Sequence, residues 1–291
     1  MKRKFALSVL LSALLLAPSL ALASFPSVRA SCYPVYLACI TAGCDPQTAD
    51  LFLMPQVGYM EDYAISEPDF VRSQEADIVV LLGGGLESFT PFLYQSGLKP
   101  LIVAGEHVER IKGRVLDPDE DTTPADNPYV WLSPTRWGET VHGVSAALCQ
   151  LDPTNESAYK RANDEAQNAV SRVKDALSEE LAFFAGRQVI VAHPALAYLA
   201  LDAGLDVVMT LERDPSVQPL EGDEEELLSL MAAYPQAVLL VEDTAPRMLK
   251  SLPGRITASL DVLLNGPRGD ATVWERAMTQ NIETLKSALS Q

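Results

Sequence analysis

From Val28 onward, short apolar runs of β-type residues alternate with helical stretches. Most of these runs are apolar at every position, as in strands that helices cover on both faces of a sheet. Strands separated by helices lie parallel, because the chain needs a crossover to return to the same edge. The sequence therefore predicts an α/β fold with parallel sheets. The predicted strands are residues 28–32, 50–54, 78–82, 101–103, 189–192, 207–210 and 238–241.

One long helix is predicted in the middle of the chain. After Pro153, apolar side chains recur at spacings of three and four, which places them on one helix face. A helix of about 30 residues extends about 45 Å, enough to run along two lobes. We therefore predict an N-terminal α/β lobe at 24–154, a connecting helix at 155–185 that Gly186 ends, and a C-terminal α/β lobe at 186–291. Because one rigid helix spans both lobes, we expect little hinge opening on ligand binding.

The first residues predict an export signal. Basic residues 2–4 precede an apolar run at 5–17, and a small-x-small cleavage site ends at Ala23, so we predict a signal peptide at 1–23. The apolar run is shorter than the roughly 20 residues of a membrane-spanning helix and is followed by Pro18. No cysteine adjoins the cleavage site, so no lipid anchor is expected. The mature protein is predicted to be soluble in the periplasm.

Net charge excludes one class of partner. The chain carries 22 Lys and Arg against 39 Asp and Glu, a net charge of -17. Such a surplus of carboxylates repels phosphates, so we do not expect nucleic-acid binding. Two acidic clusters, residues 117–121 and 221–226, are predicted to be a solvated loop and a helix start, because neither has the spacing of a calcium loop.

Four cysteines leave two possibilities open. Cys32, Cys39 and Cys44 lie close in sequence, and Cys149 lies apart. An even count in an oxidising compartment permits a disulfide, most simply within the 32–44 cluster. Small buried thiols are the alternative. A zinc cluster is not predicted, because no C-x-x-C pair is present.

Three histidines limit the possible chemistry. His193 directly follows a predicted strand, at the carboxyl edge where open α/β sheets bind ligands. His107 and His142 are expected at or near the surface. Without a Gly-x-Ser-x-Gly nucleophile elbow, a hydrolase is not predicted. The glycines at 83–85 lack the other residues of a phosphate loop, so we predict a turn there.

Several segments together resemble the periplasmic metal-binding proteins of zinc, manganese and iron ABC importers. Residues 30–36 resemble the family's first strand and helix start, and residues 77–87 its strand and glycine-rich turn. The most specific stretch, residues 127–134 (N-P-Y-V-W-L-S-P), is similar to a family segment of the form D-P-H-V-W-L-D-P. The helix after Pro153 looks like the family's interlobe helix. The resemblance covers essentially the whole mature chain and implies a two-lobe α/β fold.

The resemblance also implies a metal site of four residues, Glu61, Tyr129, His193 and Asp261, with two from each lobe. The family typically supplies three histidines and one carboxylate. Glu61 stands where the first histidine would be and Tyr129 where the second would be, whereas His193 and Asp261 match in kind. The histidine-rich loop of many zinc members is missing, and the acidic residues 117–121 lie roughly in its place.

This altered set favours a hard cation. Its donors are mostly oxygens, which suit manganese or iron better than zinc. Tyr129 has a reference pKa of about 10, so its use as phenolate requires an acidic cation such as ferric iron. Protonation of His193 is expected to release metal below its reference pKa of about 6.5. The alternative is a site that has lost metal, with Glu61 and Asp261 solvated and Tyr129 only packing.

The sequence therefore predicts a monomeric, exported solute-binding protein and not an enzyme. We expect it to capture a transition-metal ion, manganese, iron or zinc, between its lobes and to deliver the ion to an ABC permease in the membrane. The alternative is a metal-independent binding protein for a small organic ligand or metal chelate in the same cleft.

Overall fold

The computed structural model describes residues 24–51, 63–98, 101–113, 126–211 and 223–291. The predicted signal peptide at 1–23, the candidate ligand Glu61 and the acidic residues 117–121 lie outside the described residues. Within the described ranges, no helix has both the length and the apolar character needed to cross a bilayer.

Strands and helices alternate through the described ranges. The strands are β1 Val28–Ala30, β2 Ala49–Leu51, β3 Ile78–Leu81, β4 Leu101–Val103, β5 Gln188–Val191, β6 Asp206–Thr210, β7 Val238–Glu242 and β8 Thr257–Leu260. The α-helices are α1 Tyr33–Thr41, α2 Glu67–Glu75, α3 Thr90–Gln95, α4 Pro134–Leu151, α5 Glu156–Leu181, α6 Ala195–Asp202, α7 Asp223–Leu230, α8 Arg247–Lys250 and α9 Val273–Leu289.

The strands form two parallel four-stranded sheets, one in each lobe, with the orders β2-β1-β3-β4 and β6-β5-β7-β8. This arrangement confirms the predicted α/β fold with two lobes. Strand β8 was not predicted, because its sequence Thr-Ala-Ser-Leu is short and half polar. The other strands lie where the apolar runs indicated, with ends that differ by at most two residues from the prediction, and residues 52–54 of the second predicted strand lie outside the described residues.

Helix α5 connects the lobes. Its buried face packs on α4 of the first lobe and on α9 of the second. The helix has 26 residues, which corresponds to about 39 Å. It is shorter than predicted because its end tightens into a 3₁₀ turn at Ala182–Phe184 before the left-handed Gly186. One continuous apolar face therefore holds both lobes to a single rigid element.

The strand order of the first sheet reverses between β1 and β3, and Glu87 fills the gap that opens there. Its Oε1 accepts hydrogen bonds from the Ser31 hydroxyl (2.6 Å) and the Leu82 amide (2.7 Å), and its Oε2 accepts one from the Gly83 amide (2.9 Å). Burial raises the pKa of Glu87, and these hydrogen bonds oppose that effect. The turn at 83–85, where all three glycines have positive φ, thus binds a carboxylate of its own chain. The predicted turn is present.

Replacement of Glu87 by glutamine tests this arrangement. The amide group of glutamine would face the Gly83 N–H donor, so one buried donor loses its acceptor. We expect Glu87→Gln to lower the free energy of unfolding by about 1–3 kcal/mol, measured by urea denaturation at neutral pH. The exposed Glu75→Gln at the end of α2 is the matched control and should change stability by less than about 0.5 kcal/mol. Equal stability of the two variants would contradict the assigned role.

Candidate metal centre

Tyr129 and His193 meet at the boundary between the lobes. Their ring centroids lie 4.9 Å apart with an interplanar angle of 79°, so the rings meet edge to face. Tyr129 precedes the 3₁₀ turn Val130–Leu132, which leads into α4 of the first lobe. His193 follows β5 of the second lobe. Both side chains are buried. The structure thus brings together one predicted ligand from each lobe.

Asn127 positions Tyr129 against the second lobe. The buried Asn127 side chain accepts a hydrogen bond from the Tyr129 amide at 3.0 Å and donates one to the Pro194 carbonyl at 2.9 Å. The Tyr198 hydroxyl of α6 donates to the Asn127 carbonyl at 2.5 Å. These bonds join the backbone beside Tyr129 to the backbone beside His193, so the contact between the two rings does not depend on packing alone.

The protonation state of His193 follows from its neighbours. The Ala195 amide donates a hydrogen bond to Nδ1 at 3.1 Å. Nδ1 must therefore carry a lone pair, and in the neutral ring the proton is on Nε2. Burial lowers the pKa of His193 to about 4. The reference pKa of about 6.5 therefore does not apply to this ring in the folded protein, because the buried imidazole stays neutral to a lower pH.

Asp261 follows β8 and has both its backbone and its side chain fixed. Asn281 of α9 accepts a hydrogen bond from the Asp261 amide at 2.9 Å and donates one to the Asp261 carbonyl at 2.8 Å. The Asp261 Oδ1 atom accepts from the Leu263 amide at 2.7 Å, and Leu263 has a φ of 57°, a left-handed conformation that is unusual for leucine. Burial, with a smaller effect of the Asp243 charge, raises the pKa of Asp261.

Trp131 links the site of Tyr129 to the strand end that carries Asp261. Its indole Nε1 donates to the Val262 carbonyl at 2.8 Å, and its own carbonyl accepts from the Trp274 indole of α9 at 2.8 Å. The Trp131 ring also contacts the Tyr129 ring, with centroids 5.3 Å apart. One short segment of the first lobe, residues 127–131, therefore touches the second lobe beside His193 and again beside Asp261.

The structure describes three of the four predicted ligands, Tyr129, His193 and Asp261, because Glu61 lies outside the described residues. His193 and Asp261 follow β5 and β8, which are separated by β7, so the two strand ends lie about 10 Å apart. Among the described residues, no group of three or more His, Cys, Asp and Glu side chains is close enough to hold a metal ion. Of the predicted ligands, only His193 and Asp261 are both of these residue types and within the described ranges, since Glu61 lies outside them.

Sequence reasoning missed two features of this site. Asn127 stood at the start of the most family-like stretch, but nothing in the sequence showed that its side chain crosses to Pro194. Glu242 ends β7, between the strands that lead to His193 and Asp261, and its Oε2 atom is buried without a hydrogen-bond partner. Burial raises the pKa of Glu242. Glu242 could have been singled out in the sequence, because it is a carboxylate at the carboxyl end of an apolar strand, where ligands bind in open α/β sheets.

The remaining sequence-based expectations for polar residues agree with the structure. His107 and His142 are exposed, as predicted. Residues 224–226 lie in the first turn of α7, where carboxylates favour the positive end of the helix dipole. Glu221, which belongs to the same acidic cluster, lies outside the described residues.

The low pKa of His193 predicts a pH-dependent stability. The unfolded chain binds a proton at this residue below about pH 6.5, whereas the native ring does not until pH is near 4. Stability that is present above pH 6.5 is therefore lost as pH falls from 6.5 towards 4. Between pH 7 and 4.5 the free energy of unfolding should fall by about 2 kcal/mol more in the wild type than in His193→Asn, measured by urea denaturation. His142→Asn, exposed in α4, should follow the wild type. If the free energy of unfolding depends on pH in the same way in the wild type and in His193→Asn, the low pKa assigned to His193 is contradicted.

A second prediction concerns the hydrogen bond across the lobe boundary. Asn127→Asp keeps the acceptor for the Tyr129 amide but cannot donate to the Pro194 carbonyl and places a buried charge beside it. We expect a loss of about 1–3 kcal/mol in the free energy of unfolding, with faster hydrogen exchange at the amides flanking Tyr129 and His193. Asn168→Asp, exposed on α5, is the control. Unchanged exchange in the Asn127 variant would show that the bond does not hold the two segments together.

The described residues form two parallel α/β lobes joined by one helix, with polar side chains where the lobes face each other. A family model described as "Zinc-uptake complex component A periplasmic" (ZnuA) matches residues 28–288. The chain belongs to this family. The resemblance inferred from the sequence is therefore confirmed, and the family consists of transport components rather than enzymes.

Individual relatives are distant but cover most of the chain. The "High-affinity zinc uptake system protein ZnuA" of Bacillus subtilis (strain 168) is 25% identical over 274 residues, 88% of this chain and 85% of the relative. The "Iron-binding protein YfeA" of Yersinia pestis is 21% identical over 242 residues, 80% of this chain and 76% of the relative. The solved structure of FpvC from Pseudomonas aeruginosa with Mn²⁺ has a TM-score of 0.75 at 20% identity, over 92% and 99% of the two chains, which shows the shared fold.

Proposed function

We propose that this protein is an exported carrier that captures a transition-metal ion between its lobes and delivers it to an ABC permease. The observation that carries the proposal is the contact of Tyr129 and His193 across the lobe boundary, at 4.9 Å between ring centroids. Membership of the zinc-uptake family and relatives named for zinc and iron support it. On this proposal the protein acts as a monomer in the periplasm and performs no chemistry on its cargo.

The proposed donors are Tyr129, His193, Asp261 and Glu61. One nitrogen and three oxygen donors favour manganese or iron over zinc, because hard cations prefer oxygen. A neutral imidazole is the form that coordinates metal, and the low pKa of His193 keeps the ring neutral at physiological pH. Burial raises the pKa of Asp261, and a bound cation would lower it.

Binding at His193 Nε2 requires a defined local change. The proton that Nε2 carries must leave, and a neutral ring coordinated through Nε2 has its proton on Nδ1. The present hydrogen bond from the Ala195 amide to Nδ1 would then be lost. On this proposal, loading converts Nδ1 from an acceptor to a donor, and the start of α6 adjusts to provide an acceptor for it.

If one ion binds both Asp261 and His193, these two side chains must come closer together without a movement of the whole lobes. Helix α5 packs on both lobes, and the bonds of residues 127–131 cross the boundary at two points. A wide hinge motion would break these contacts, so we propose that loading moves side chains and strand ends instead. Small-angle scattering profiles of the apo and loaded protein should therefore nearly coincide. A large compaction on loading would contradict this part of the proposal.

Ligand substitutions test the metal site directly. His193→Ala should weaken binding most, because it removes the only nitrogen donor, with a loss in affinity of about 100-fold or more by calorimetry. With ferric iron, a phenolate-to-metal charge-transfer band should appear in the visible spectrum and be absent from Tyr129→Phe. His142→Ala, exposed and far along α4, should bind like the wild type. The protein must carry no affinity tag, because tag histidines bind the same ions.

The same calorimetry distinguishes the alternative. If the untagged protein binds neither zinc, manganese nor either state of iron, the metal-carrier proposal fails. The lobe boundary would then serve a small organic ligand or a metal chelate, with Glu61 and Asp261 as solvated carboxylates and Tyr129 as a packing residue. Binding of one equivalent of ion that depends on His193 and Tyr129 would support the metal carrier.

A further inference from the structure

The turn that ends helix α1 brings two cysteines together. The Cys44 amide donates a hydrogen bond to the Cys39 carbonyl, and the Gly43 amide donates one to the Ile40 carbonyl, both at 3.0 Å. Gly43 has a φ of +99°, the left-handed conformation. These two bonds and the left-handed glycine define a Schellman motif, in which the side chains of the two outer residues contact each other. Here both outer residues are cysteines.

The geometry of this motif suits a disulfide. A carbonyl and an amide joined by such a hydrogen bond hold their α-carbons about 5–6 Å apart, within the range of about 4.4–6.8 Å that disulfides span. Cys39 and Cys44 are both buried, and both are thiols in this structure. A side-chain hydrogen bond between Cys39 and Cys44, with a smaller effect of burial, favours the neutral Cys39 thiol and so raises its pKa. The two sulfur atoms are therefore neighbours.

The other cysteines are less suited as partners. Cys32 caps the start of α1, seven residues before Cys39, which corresponds to about 10 Å along the helix axis and exceeds the reach of a disulfide. Cys149 lies on α4, half-buried, with its thiol directed to the Glu156 carbonyl at 3.9 Å. Only Cys39 and Cys44 are held together by backbone hydrogen bonds of one turn.

We propose that Cys39 and Cys44 form a disulfide in the mature protein and that Cys32 and Cys149 remain thiols. The two thiols lose two protons and two electrons as the sulfur–sulfur bond forms, and the disulfide of a thiol–disulfide exchange partner accepts them and becomes a dithiol or two thiols. Because both cysteines are buried in the folded protein, the exchange takes place while the chain folds.

Such a bond would fix the packing of α1 on the connecting helix. A Cβ atom at Gly43 would lie 3.0 Å from the Ala162 Cβ atom of α5, so this turn sits directly against that helix. The same α1 carries Tyr33 and Tyr36, whose hydroxyls bond to Pro267 and Gly269 of the second lobe. A crosslink at the end of α1 therefore stabilises a helix that contacts both the connecting helix and the second lobe.

Counting of free thiols tests the proposal. The reduced, unfolded full chain is refolded with a mixture of reduced and oxidised glutathione, then denatured with N-ethylmaleimide, and its mass is measured. Wild type should take up two labels without reductant and four after reduction. Cys39→Ser or Cys44→Ser should each give three without reductant, whereas Cys32→Ser and Cys149→Ser should each give one. The count needs no folded variant, because the wild type alone shows whether one disulfide forms.

Two results would overturn the proposal. One is four labels on the wild type without reductant, which would mean that no disulfide forms. The other is a rise to three labels in Cys149→Ser or Cys32→Ser, which would show that the removed cysteine is the true partner.

A measurement of stability is independent of the thiol count. Reductant should lower the melting temperature of the wild type by about 5 °C and leave that of the Cys39→Ser/Cys44→Ser double variant unchanged. Because neither readout uses metal, failure here is separate from failure of the metal-carrier proposal.

Discussion

The hydrogen bonds that residues 127–131 make across the lobe boundary are the constraint on which the rest of the site depends. Asn127 binds the Pro194 carbonyl, and the Trp131 indole binds the Val262 carbonyl. Each acceptor adjoins a proposed metal ligand of the second lobe, His193 in one case and Asp261 in the other. Tyr129 lies between the two bonds in sequence. The position of every described ligand is therefore tied, through the backbone, to one short segment of the first lobe.

This constraint is consistent with the rigid connection between the lobes. Helix α5 offers one apolar face to both lobes, and the indole of Trp274 on α9 binds the Trp131 carbonyl. The polar groups at the boundary are nevertheless held in unusual states: a neutral buried imidazole, a half-buried carboxylate with a raised pKa, and a buried Glu242 oxygen without a hydrogen-bond partner. Burial of these polar groups lowers stability, and a bound cation would offset that cost at the carboxylates.

Much of the fold could be predicted from sequence because buried parallel strands and an amphipathic helix leave strong local patterns. Strand β8 could not, because its stability comes from pairing with β7 rather than from its own Thr-Ala-Ser-Leu sequence. In the site, the resemblance to a family placed Tyr129 and His193, which the structure brings into contact. The role of Asn127 was not predictable, since it depends on a partner 67 residues away. The pKa of His193 was not predictable either, because burial is a tertiary property.

The most direct test of the metal-carrier account is the state of the His193 ring, followed by nitrogen-15 NMR. In the free protein, Nδ1 should appear as an unprotonated acceptor and Nε2 as the protonated nitrogen, because Nδ1 accepts from the Ala195 amide. Zinc and gallium serve as diamagnetic probes for divalent and ferric ions. With one equivalent of either ion, the account predicts that the proton moves to Nδ1 and that Nε2 shows the shift of a metal-bound nitrogen. An unchanged ring with both ions at saturating concentration would contradict the central claim.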